Sequence, residues 1–201
     1  MKIGLYFGSF NPVHIGHLII ASHIVSNTDL DEVWFVVSPQ NPFKVSQVLL
    51  NENHRLQLVR LAIENDKNLQ VSNVEFKLPK PSYTINTLTY LKEKYPTREF
   101  SLIMGSDSFQ NLPNWKNAEI IANNYQIYIY KRPGFDIKNT LNATVNILDA
   151  PLLEISSTHI RNLIAAGKSI RYLVTESVRE EIEAQHYYRS SSENPSKQQA
   201  T

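Results

Sequence analysis

The stretch Gly8-Ser-Phe-Asn-Pro-Val-His-Ile-Gly-His17 separates a short apolar run from a helical pattern, and it decides the fold. Residues 3–7 before it are typical of a buried strand that ends at Gly8. The apolar positions after it predict a helix that starts near Val13. The two histidines of the stretch are three residues apart, so both imidazoles lie on one face of that helix. A strand, a tight turn and a helix in this order form the first unit of a parallel α/β sheet.

The same alternation of strands and helices continues along the chain. Further strands are predicted at residues 33–37, 69–76, 100–104, 125–130 and 145–148, each a short apolar run. Helices are predicted from Asn51 as N-cap to residue 63, then at residues 84–95, 157–166 and 176–186, with Gly167 at a C′ position.

This order predicts an α/β fold of the Rossmann-like, doubly wound type, with a mainly parallel sheet and helices on both faces. We expect a single domain over residues 1–189. The polar residues 190–201 are predicted to form a disordered tail.

Composition limits the classes of function. The 201 residues carry a formal net charge of +1, which predicts binding to neither nucleic acid nor membrane. The absence of cysteine excludes disulfides, cysteine-ligated zinc and thiol nucleophiles. The first apolar run is too short for a signal peptide, and no apolar stretch could span a bilayer, so we expect a cytoplasmic protein. The sequence leaves a homo-oligomer open.

The first motif favours phosphate binding. Ligands of open α/β sheets bind at the carboxyl ends of strands, beside helix N-termini whose free N–H groups and dipole attract anions. His14 and His17 add two donors there, and Gly16 is expected to leave room for a ligand beside the backbone. The simpler interpretation is a tight turn built by Gly8 and Pro12 with histidines on the surface. A metal site is a third interpretation, but a third ligand near the histidines is missing.

The second motif, Ile155-Ser-Ser-Thr-His-Ile-Arg161, opens another predicted helix. A hydroxyl can cap this helix, but one cap does not explain three hydroxyls in a row. Arg161 lies one turn into the helix, where a cation opposes the helix dipole. An anion between the helix start and Arg161 would resolve this conflict. The motif therefore predicts a second phosphate site, facing the first across the sheet.

Together, the two motifs resemble the signatures of the bacterial nicotinate-mononucleotide adenylyltransferase family. That family is part of a larger nucleotidyltransferase group with His-x-Gly-His near the N-terminus. The resemblance runs from Lys2 to about Ile182. Further family-like segments are Asn53-His-Arg-Leu-Gln-Leu-Val-Arg-Leu-Ala-Ile63, Pro81-Ser-Tyr-Thr-Ile-Asn-Thr-Leu88, Gly105-Ser-Asp-Ser-Phe109 with Trp115, Arg132-Pro-Gly134 and Tyr172-Leu-Val174.

The resemblance implies an adenylyltransferase that uses ATP as co-substrate and nicotinate mononucleotide as acceptor in NAD biosynthesis. It implies Mg²⁺ held mainly by ATP oxygens and water, without a protein metal site. The catalytic residues that it implies are His14, His17, Lys44 and Arg161. The ATP-binding residues that it implies are Gly8, Ser9, Phe10, Gly105, Asp107, Ser156 and Ser157. The acceptor-binding residues that it implies are Thr84, Trp115, Lys116 and Arg132.

For several of these residues the resemblance also implies which part of the substrate they contact. Asp107 is expected to contact ribose or adenine, and Trp115 to pack on the pyridine ring. Backbone N–H groups near Thr84 and Lys116 would receive the pyridine carboxylate, and Lys44 the acceptor phosphate. On the residues alone, each side chain also has a structural explanation: a helix cap for Thr84 and Asp107, core packing for Trp115, solvation for Lys44.

Two positions depart from the family pattern, and both lie on the acceptor side. The loop Asn41-Pro-Phe-Lys44 has a phenylalanine where the family often has histidine. Asn86 replaces the usual aspartate after Tyr-Thr, which removes a charge beside the expected carboxylate site.

The expected mechanism is direct in-line attack of the acceptor phosphate on the α-phosphorus of ATP. The attacking oxygen is already ionised, so a general base is not required. Two other functions stay open at this point: a related nucleotidyltransferase with another acceptor, such as phosphopantetheine or a cytidylyltransferase substrate, and a non-catalytic nucleotide sensor. A class I aminoacyl-tRNA synthetase shares the His-x-Gly-His string, but its lysine-rich second loop is missing.

Overall fold

The structure is a computed structural model that describes residues 1–39, 49–151 and 153–189 of the chain. Its six strands form one parallel sheet in the order β3-β2-β1-β4-β5-β6. The strands are β1 (Lys2–Gly8), β2 (Glu32–Val37), β3 (Leu69–Ser72), β4 (Glu99–Gly105), β5 (Ile127–Tyr130) and β6 (Val145–Leu148). The predicted tail at residues 190–201 lies outside the described residues.

Seven α-helices connect and follow these strands in the described part of the chain. They are α1 (Ile15–Asn27), α2 (Glu52–Ile63), α3 (Thr84–Lys94), α4 (Ser106–Gln110), α5 (Ala118–Asn124), α6 (Ser157–Ala165) and α7 (Glu176–Ala184). Two short 3₁₀ turns, Val74–Lys77 and Leu112–Asn114, complete the pattern. None of these helices is long and apolar enough to cross a lipid bilayer.

Apolar side chains on both faces of the sheet are covered by helices. On one face, α1, α2, α6 and α7 pack against the strands through buried residues such as Ile24, Val59 and Val178. On the other face, α3, α4 and α5 do so through residues such as Leu88 and Ile121. Burying one such side chain fully contributes roughly 1.5–3 kcal/mol to stability. The doubly wound α/β fold in a single domain is therefore confirmed.

The sheet has its topological switch point between β1 and β4. From β1 the chain winds outward to β2 and β3, then returns to place β4 on the other side of β1. The connections after these two strands lead to helices on opposite faces, because α1 packs on one face and α4 on the other. A crevice opens where the connections part, and ligands of such sheets bind in it.

Several predicted boundaries differ from the structure. The strand predicted at residues 69–76 ends at Ser72, because the Ser72 hydroxyl accepts a bond from the Val74 N–H and turns the chain into a 3₁₀ turn. The helix predicted near Val13 begins at Ile15. Helices α4 and α5 were not predicted, because five and seven residues are too few to show a helical period.

The predicted helix ends at Asn51 and Gly167 are confirmed. The Asn51 side chain accepts a hydrogen bond from the Asn53 N–H and caps α2. Gly167 has a positive φ of 65° at the end of α6. Its N–H donates to the Ile164 carbonyl at 3.0 Å, and the Lys168 N–H donates to the Leu163 carbonyl at 2.9 Å. These two bonds form a Schellman motif, which satisfies the last carbonyls of the helix.

The guanidinium group of Arg55, on α2, is fully buried among backbone carbonyls. Its Nε donates to the Leu50 carbonyl at 2.8 Å, and Nη2 donates to the Pro39 carbonyl at 3.1 Å. Its Nη1 donates to the carbonyls of Ser38, at 2.9 Å, and Ser9. One side chain thus joins the segments that leave β1 and β2 to the segment that enters α2.

Replacing Arg55 with methionine is expected to lower the free energy of unfolding by about 2–5 kcal/mol, because buried carbonyls lose charged donors. Urea denaturation measures this change. Arg60→Met on the same helix is the matched control, since Arg60 is exposed, and we expect it to change stability by less than about 0.5 kcal/mol. Equal stability of the two variants would show that the Arg55 bonds contribute nothing.

Candidate active site

The segment after β1 is shaped by Phe10, whose ring folds back under the chain. Phe10 is buried and has a positive φ of 45°. A Cβ atom at Gly8 would lie 2.8 Å from this ring, so only glycine fits at the end of β1. Because the ring is buried, Phe10 could take part in a phosphate site only through its backbone. Ser9 lies between the two, with its carbonyl bonded to Arg55.

His14 and His17 meet at the start of α1, as their spacing predicts. Their rings stack with centroids 3.7 Å apart, and His14 occupies the N-cap position. The backbone N–H of His14 donates to Nδ1 of the His17 ring at 3.3 Å. Nδ1 is therefore the acceptor, and the proton of the neutral His17 ring is assigned to Nε2. A Cβ atom on Gly16 would lie 3.1 Å from Nδ1 of His14. The space that Gly16 provides is therefore filled by the His14 ring and not left for a ligand.

Both histidines are neutral at pH 7 in this structure. Burial lowers the pKa of His14 to about 4, and the positive charge of Arg132 adds to this effect. Burial also lowers the pKa of His17 well below its usual value, with contributions from His14 and Arg132. Nδ1 of His14 is buried without a hydrogen-bond partner among the described residues. The pair therefore offers N–H donors to a ligand instead of positive charges.

The second motif lies directly beside the first. The Ser157 hydroxyl donates to the Pro12 carbonyl and Nη1 of Arg161 donates to the Asn11 carbonyl, both at 2.8 Å. Helices α1 and α6 pack on the same face of the sheet, so the prediction that the motifs face each other across it is wrong. Ser156 accepts a bond from the His159 N–H at 3.1 Å, which is the helix cap that the simpler interpretation required.

On the other side of the crevice, Gly105 ends β4 beside a charged pair. Nε of Arg132 lies 3.4 Å from Oδ1 of Asp107, and a Cβ atom at Gly105 would lie 2.4 Å from that oxygen. The pair is an ion pair without a hydrogen bond to Oδ1, which keeps this buried oxygen available as an acceptor. Asp107 lies within α4, and Gly105 is the N-cap, so the interpretation of Asp107 as a cap is wrong.

A cavity of about 150 Å³ lies between the ends of β1 and β4. Thr84, Trp115 and Lys116 line it, so three residues predicted for the acceptor come together. The N-cap of α3 is Tyr83, not Thr84, and its side chain forms no capping bond. The backbone N–H of Thr84 has no acceptor among the described residues. Lys116 holds its ammonium group 4.7 Å from the centre of the Tyr83 ring.

Sequence reasoning missed several residues that line the crevice. Tyr6 and Tyr130 are inward-facing strand residues, and their hydroxyls lie 3.4 Å apart. Nη2 of Arg132 donates to the Tyr130 hydroxyl at 3.2 Å, which places this predicted acceptor residue at the crevice. Glu75 also lines the cavity. It lies in the 3₁₀ turn Val74–Lys77, where the sequence pattern predicts the end of a strand. Lys44, predicted to hold the acceptor phosphate, lies outside the described residues.

The low pKa of His14 makes stability depend on pH. In the unfolded chain a histidine takes up its proton near pH 6.5, but folded His14 does so only near pH 4. Between these values the unfolded state binds more protons, so the free energy of unfolding falls as the pH falls through that window. We expect a loss of at most about 3.5 kcal/mol from this group, since one pKa unit corresponds to about 1.4 kcal/mol.

Urea denaturation at pH 7.5 and pH 4.5 measures this loss in the wild type and in His14→Asn. The variant is expected to lose less stability on acidification than the wild type. The exposed His159→Asn substitution is the matched control and should behave as the wild type. Identical pH dependence in all three proteins would contradict the assignment.

Comparison with known proteins identifies the family of the chain. Residues 5–163 match the model of the cytidylyltransferase-like family. A protein of Cytophaga hutchinsonii named "Probable nicotinate-nucleotide adenylyltransferase" is 53% identical over 191 residues, covering 94% of this chain and 98% of that protein. A protein of the same name from Bacteroides fragilis is 49% identical over 178 residues, covering 88% of this chain and 89% of that protein.

Among solved structures, the fold is similar to that of Plasmodium falciparum nicotinic acid mononucleotide adenylyltransferase complexed with NaAD. The TM-score is 0.77 at 20% identity, and the match covers 93% of this chain and 97% of that chain. At this identity the likeness concerns the fold alone. The family model and the bacterial relatives show more, since both span most of the sequence. The chain therefore belongs to the nicotinate-nucleotide adenylyltransferase family, within the cytidylyltransferase-like group of nucleotidyltransferases.

Proposed function

We propose that the protein transfers the adenylyl group of ATP to nicotinate mononucleotide, a step of NAD biosynthesis that gives nicotinate adenine dinucleotide and pyrophosphate. One observation carries this proposal. Two neutral histidines lie at the start of α1, and the His17 ring packs edge-on against Tyr6 at 6.1 Å. Tyr6 lines a cavity that also has a free helix N–H, an ammonium group and an indole ring. The first set of groups suits a phosphate chain, and the second suits a flat ring that bears a carboxylate.

The ATP phosphates would lie at the start of α1. His14 and His17 would donate hydrogen bonds from neutral imidazoles, which costs less desolvation than burying two cations beside each other. Arg161 donates a hydrogen bond to the Asn11 carbonyl, which fixes its guanidinium group beside the loop between β1 and α1. Less side-chain entropy is therefore lost when it binds a phosphate. Ser157 fixes the loop through Pro12. We propose that Lys44 approaches these groups from its own loop.

The nucleoside and the acceptor would lie on either side of β4. Oδ1 of Asp107 has no hydrogen-bond donor among the described residues, so it can accept a hydrogen bond from a ribose hydroxyl. Trp115 would stack on the pyridine ring, and Lys116 with the Thr84 N–H would receive its carboxylate. Arg132 bonds to the hydroxyl of Tyr130, a residue that lines the cavity, and we propose that it contacts a phosphate between the two substrates.

The proposed reaction is a single in-line displacement. An ionised phosphate oxygen of the acceptor forms a bond to the α-phosphorus, while the bond from that phosphorus to the bridging oxygen of the β-phosphate breaks. Pyrophosphate leaves with the electron pair of the broken bond. The residues of the chain contribute positioning and stabilisation of the phosphate charges.

The side chains of the crevice suit a metal ion that arrives with ATP. Among the described residues, no three His, Asp or Glu side chains converge into a metal site. Mg²⁺ would thus be held through phosphate oxygens and water, where it would neutralise charge on the triphosphate. We also propose that the protein acts in the cytoplasm, which follows from its function and its lack of cysteine.

Pyrophosphate release with ATP and Mg²⁺ tests the choice of acceptor. We expect kcat/KM for nicotinate mononucleotide to exceed that for nicotinamide mononucleotide and for phosphopantetheine by at least about 100-fold, because the amide and pantetheine lack the charge that the Thr84 N–H and Lys116 would bind. Preference for another acceptor would reject the acceptor site but keep the transfer chemistry. Tight ATP binding without turnover of any acceptor would indicate a nucleotide sensor.

Replacing His17 with alanine is expected to lower kcat by roughly 100-fold, because a preorganised donor to the phosphates is lost. His23→Ala on the same helix is the matched control and should keep wild-type turnover, since His23 bonds to Asn27 at the far end of α1. Steady-state kinetics on both variants, with circular dichroism to verify folding, gives the comparison. Wild-type turnover in His17→Ala would remove this residue from the mechanism.

A further inference from the structure

Glu75 is a buried carboxyl group that the proposed mechanism leaves without a role. It is 2% exposed, and it belongs to the 3₁₀ turn that follows β3. Among the described residues, no Lys, Arg or His nitrogen lies within ion-pair distance of it. Burial raises the pKa of Glu75, and hydrogen bonds from Ser38, Thr87 and Ser82 act against that rise. A buried carboxyl without a cation is costly, so the bonds it makes are the features that need explanation.

Two of the hydroxyl partners of Glu75, those of Ser82 and Thr87, lie on either side of the start of α3. The Ser82 hydroxyl donates to Oε2 at 3.0 Å, and the Thr87 hydroxyl donates to Oε1 at 3.0 Å. Ser82 precedes the N-cap Tyr83, and Thr87 lies in the first turn of the helix. The two oxygens of one carboxyl group therefore hold the chain on both sides of the point where the helix begins.

Within residues 1–39, 49–151 and 153–189, no other side chain holds the start of α3 by hydrogen bonds on both sides. The N-cap Tyr83 forms no side-chain capping bond. The Thr84 N–H has no acceptor among the described residues. Glu75, Ser82 and Thr84 all line the same cavity. The Glu75 residue and the helix start with its free N–H thus border the same space, in which the acceptor ring would bind.

We propose that Glu75 is a positioning residue that makes the acceptor site select a pyridine carboxylate over the amide. It does so by holding the first turn of α3 so that its free N–H groups face the cavity. This inference rests on the proposed function, because it concerns the acceptor of that reaction. The role that we assign to the Glu75 carboxyl is its two bonds to Ser82 and Thr87, and not a contact with the pyridine carboxylate.

Positioning and direct repulsion predict opposite results for Glu75→Gln. Glutamine keeps the size of the side chain but can accept a hydrogen bond at only one of its two terminal atoms. If Glu75 positions the helix start, the variant should lose preference for nicotinate mononucleotide. If Glu75 only opposes a negative ligand, the neutral variant should gain preference for it.

The experiment measures kcat and KM of wild type and Glu75→Gln for nicotinate mononucleotide, nicotinamide mononucleotide and ATP. We expect KM for nicotinate mononucleotide to rise about 10-fold, the effect of one lost charge-assisted hydrogen bond, with KM for ATP unchanged within about twofold. The ratio of kcat/KM for acid over amide should fall by a similar factor. An unchanged or increased ratio would overturn the proposal.

Two further variants separate positioning from a general loss of stability. Glu93 is an exposed glutamate on α3, and Glu93→Gln should leave both the kinetics and the melting temperature unchanged. Ser82→Ala keeps the carboxyl and removes one of its donors, so it should shift the acid-to-amide ratio in the same direction as Glu75→Gln. A shift in melting temperature without a shift in this ratio would reduce Glu75 to a structural residue.

Hydrogen exchange of the ligand-free protein provides a readout that does not depend on the acceptor. We expect the amides of residues 84–88 to exchange at least about 10-fold faster in Glu75→Gln than in Glu93→Gln, because the helix start is held less firmly. If the wild type does not use nicotinate mononucleotide but the exchange increases, the proposed function fails and the positioning role stands. Unchanged exchange would reject the role itself.

Discussion

The buried guanidinium of Arg55 is the interaction on which the geometry of the site depends. Parallel strands leave their last carbonyl groups at one edge of the sheet, where the chain turns away and sheet hydrogen bonds end. At that edge Arg55 bonds the carbonyls of Ser9, Ser38, Pro39 and Leu50. A planar group with five donors can satisfy several acceptors at fixed angles, which an ammonium group cannot do. The loop after β1 therefore has one position relative to β2 and α2.

A second set of bonds connects this loop to the distant end of the chain. The side-chain oxygen of Asn11 accepts bonds from the Leu50 N–H at 3.2 Å and from the Tyr188 hydroxyl at 2.9 Å. The backbone carbonyl of Asn11 accepts a hydrogen bond from Nη1 of Arg161. Residues separated by as many as 177 positions thus meet at one loop residue. Because the loop is held from several sides, the two histidines that follow it keep their stacked arrangement before any ligand binds, which lowers the entropy lost on binding.

The electrostatics of the site are local. The chain as a whole carries a formal charge of +1, so long-range attraction contributes little to binding a polyanion. Buried neutral histidines, helix N-termini and two arginines supply the favourable interactions at short range. The Arg132–Asp107 ion pair and the buried Glu75 carboxyl add further polar groups at the same crevice. This distribution favours ligands whose charges match it in position.

The sequence by itself determined the fold class, because strand and helix periods are local properties and the strand that ends at Gly8 was evident from its neighbours. It also predicted phosphate sites at His14, His17 and Arg161, because both motifs stand at predicted helix starts, where free N–H groups attract anions. Only the tertiary structure decided that the two motifs lie side by side on one face of the sheet, that the His14 ring fills the space at Gly16, and that Glu75 lines the acceptor cavity. These features depend on contacts between segments far apart in the chain. A local sequence pattern does not specify contacts between distant segments, so the burial and the hydrogen-bond partners of these residues are defined only by the folded structure.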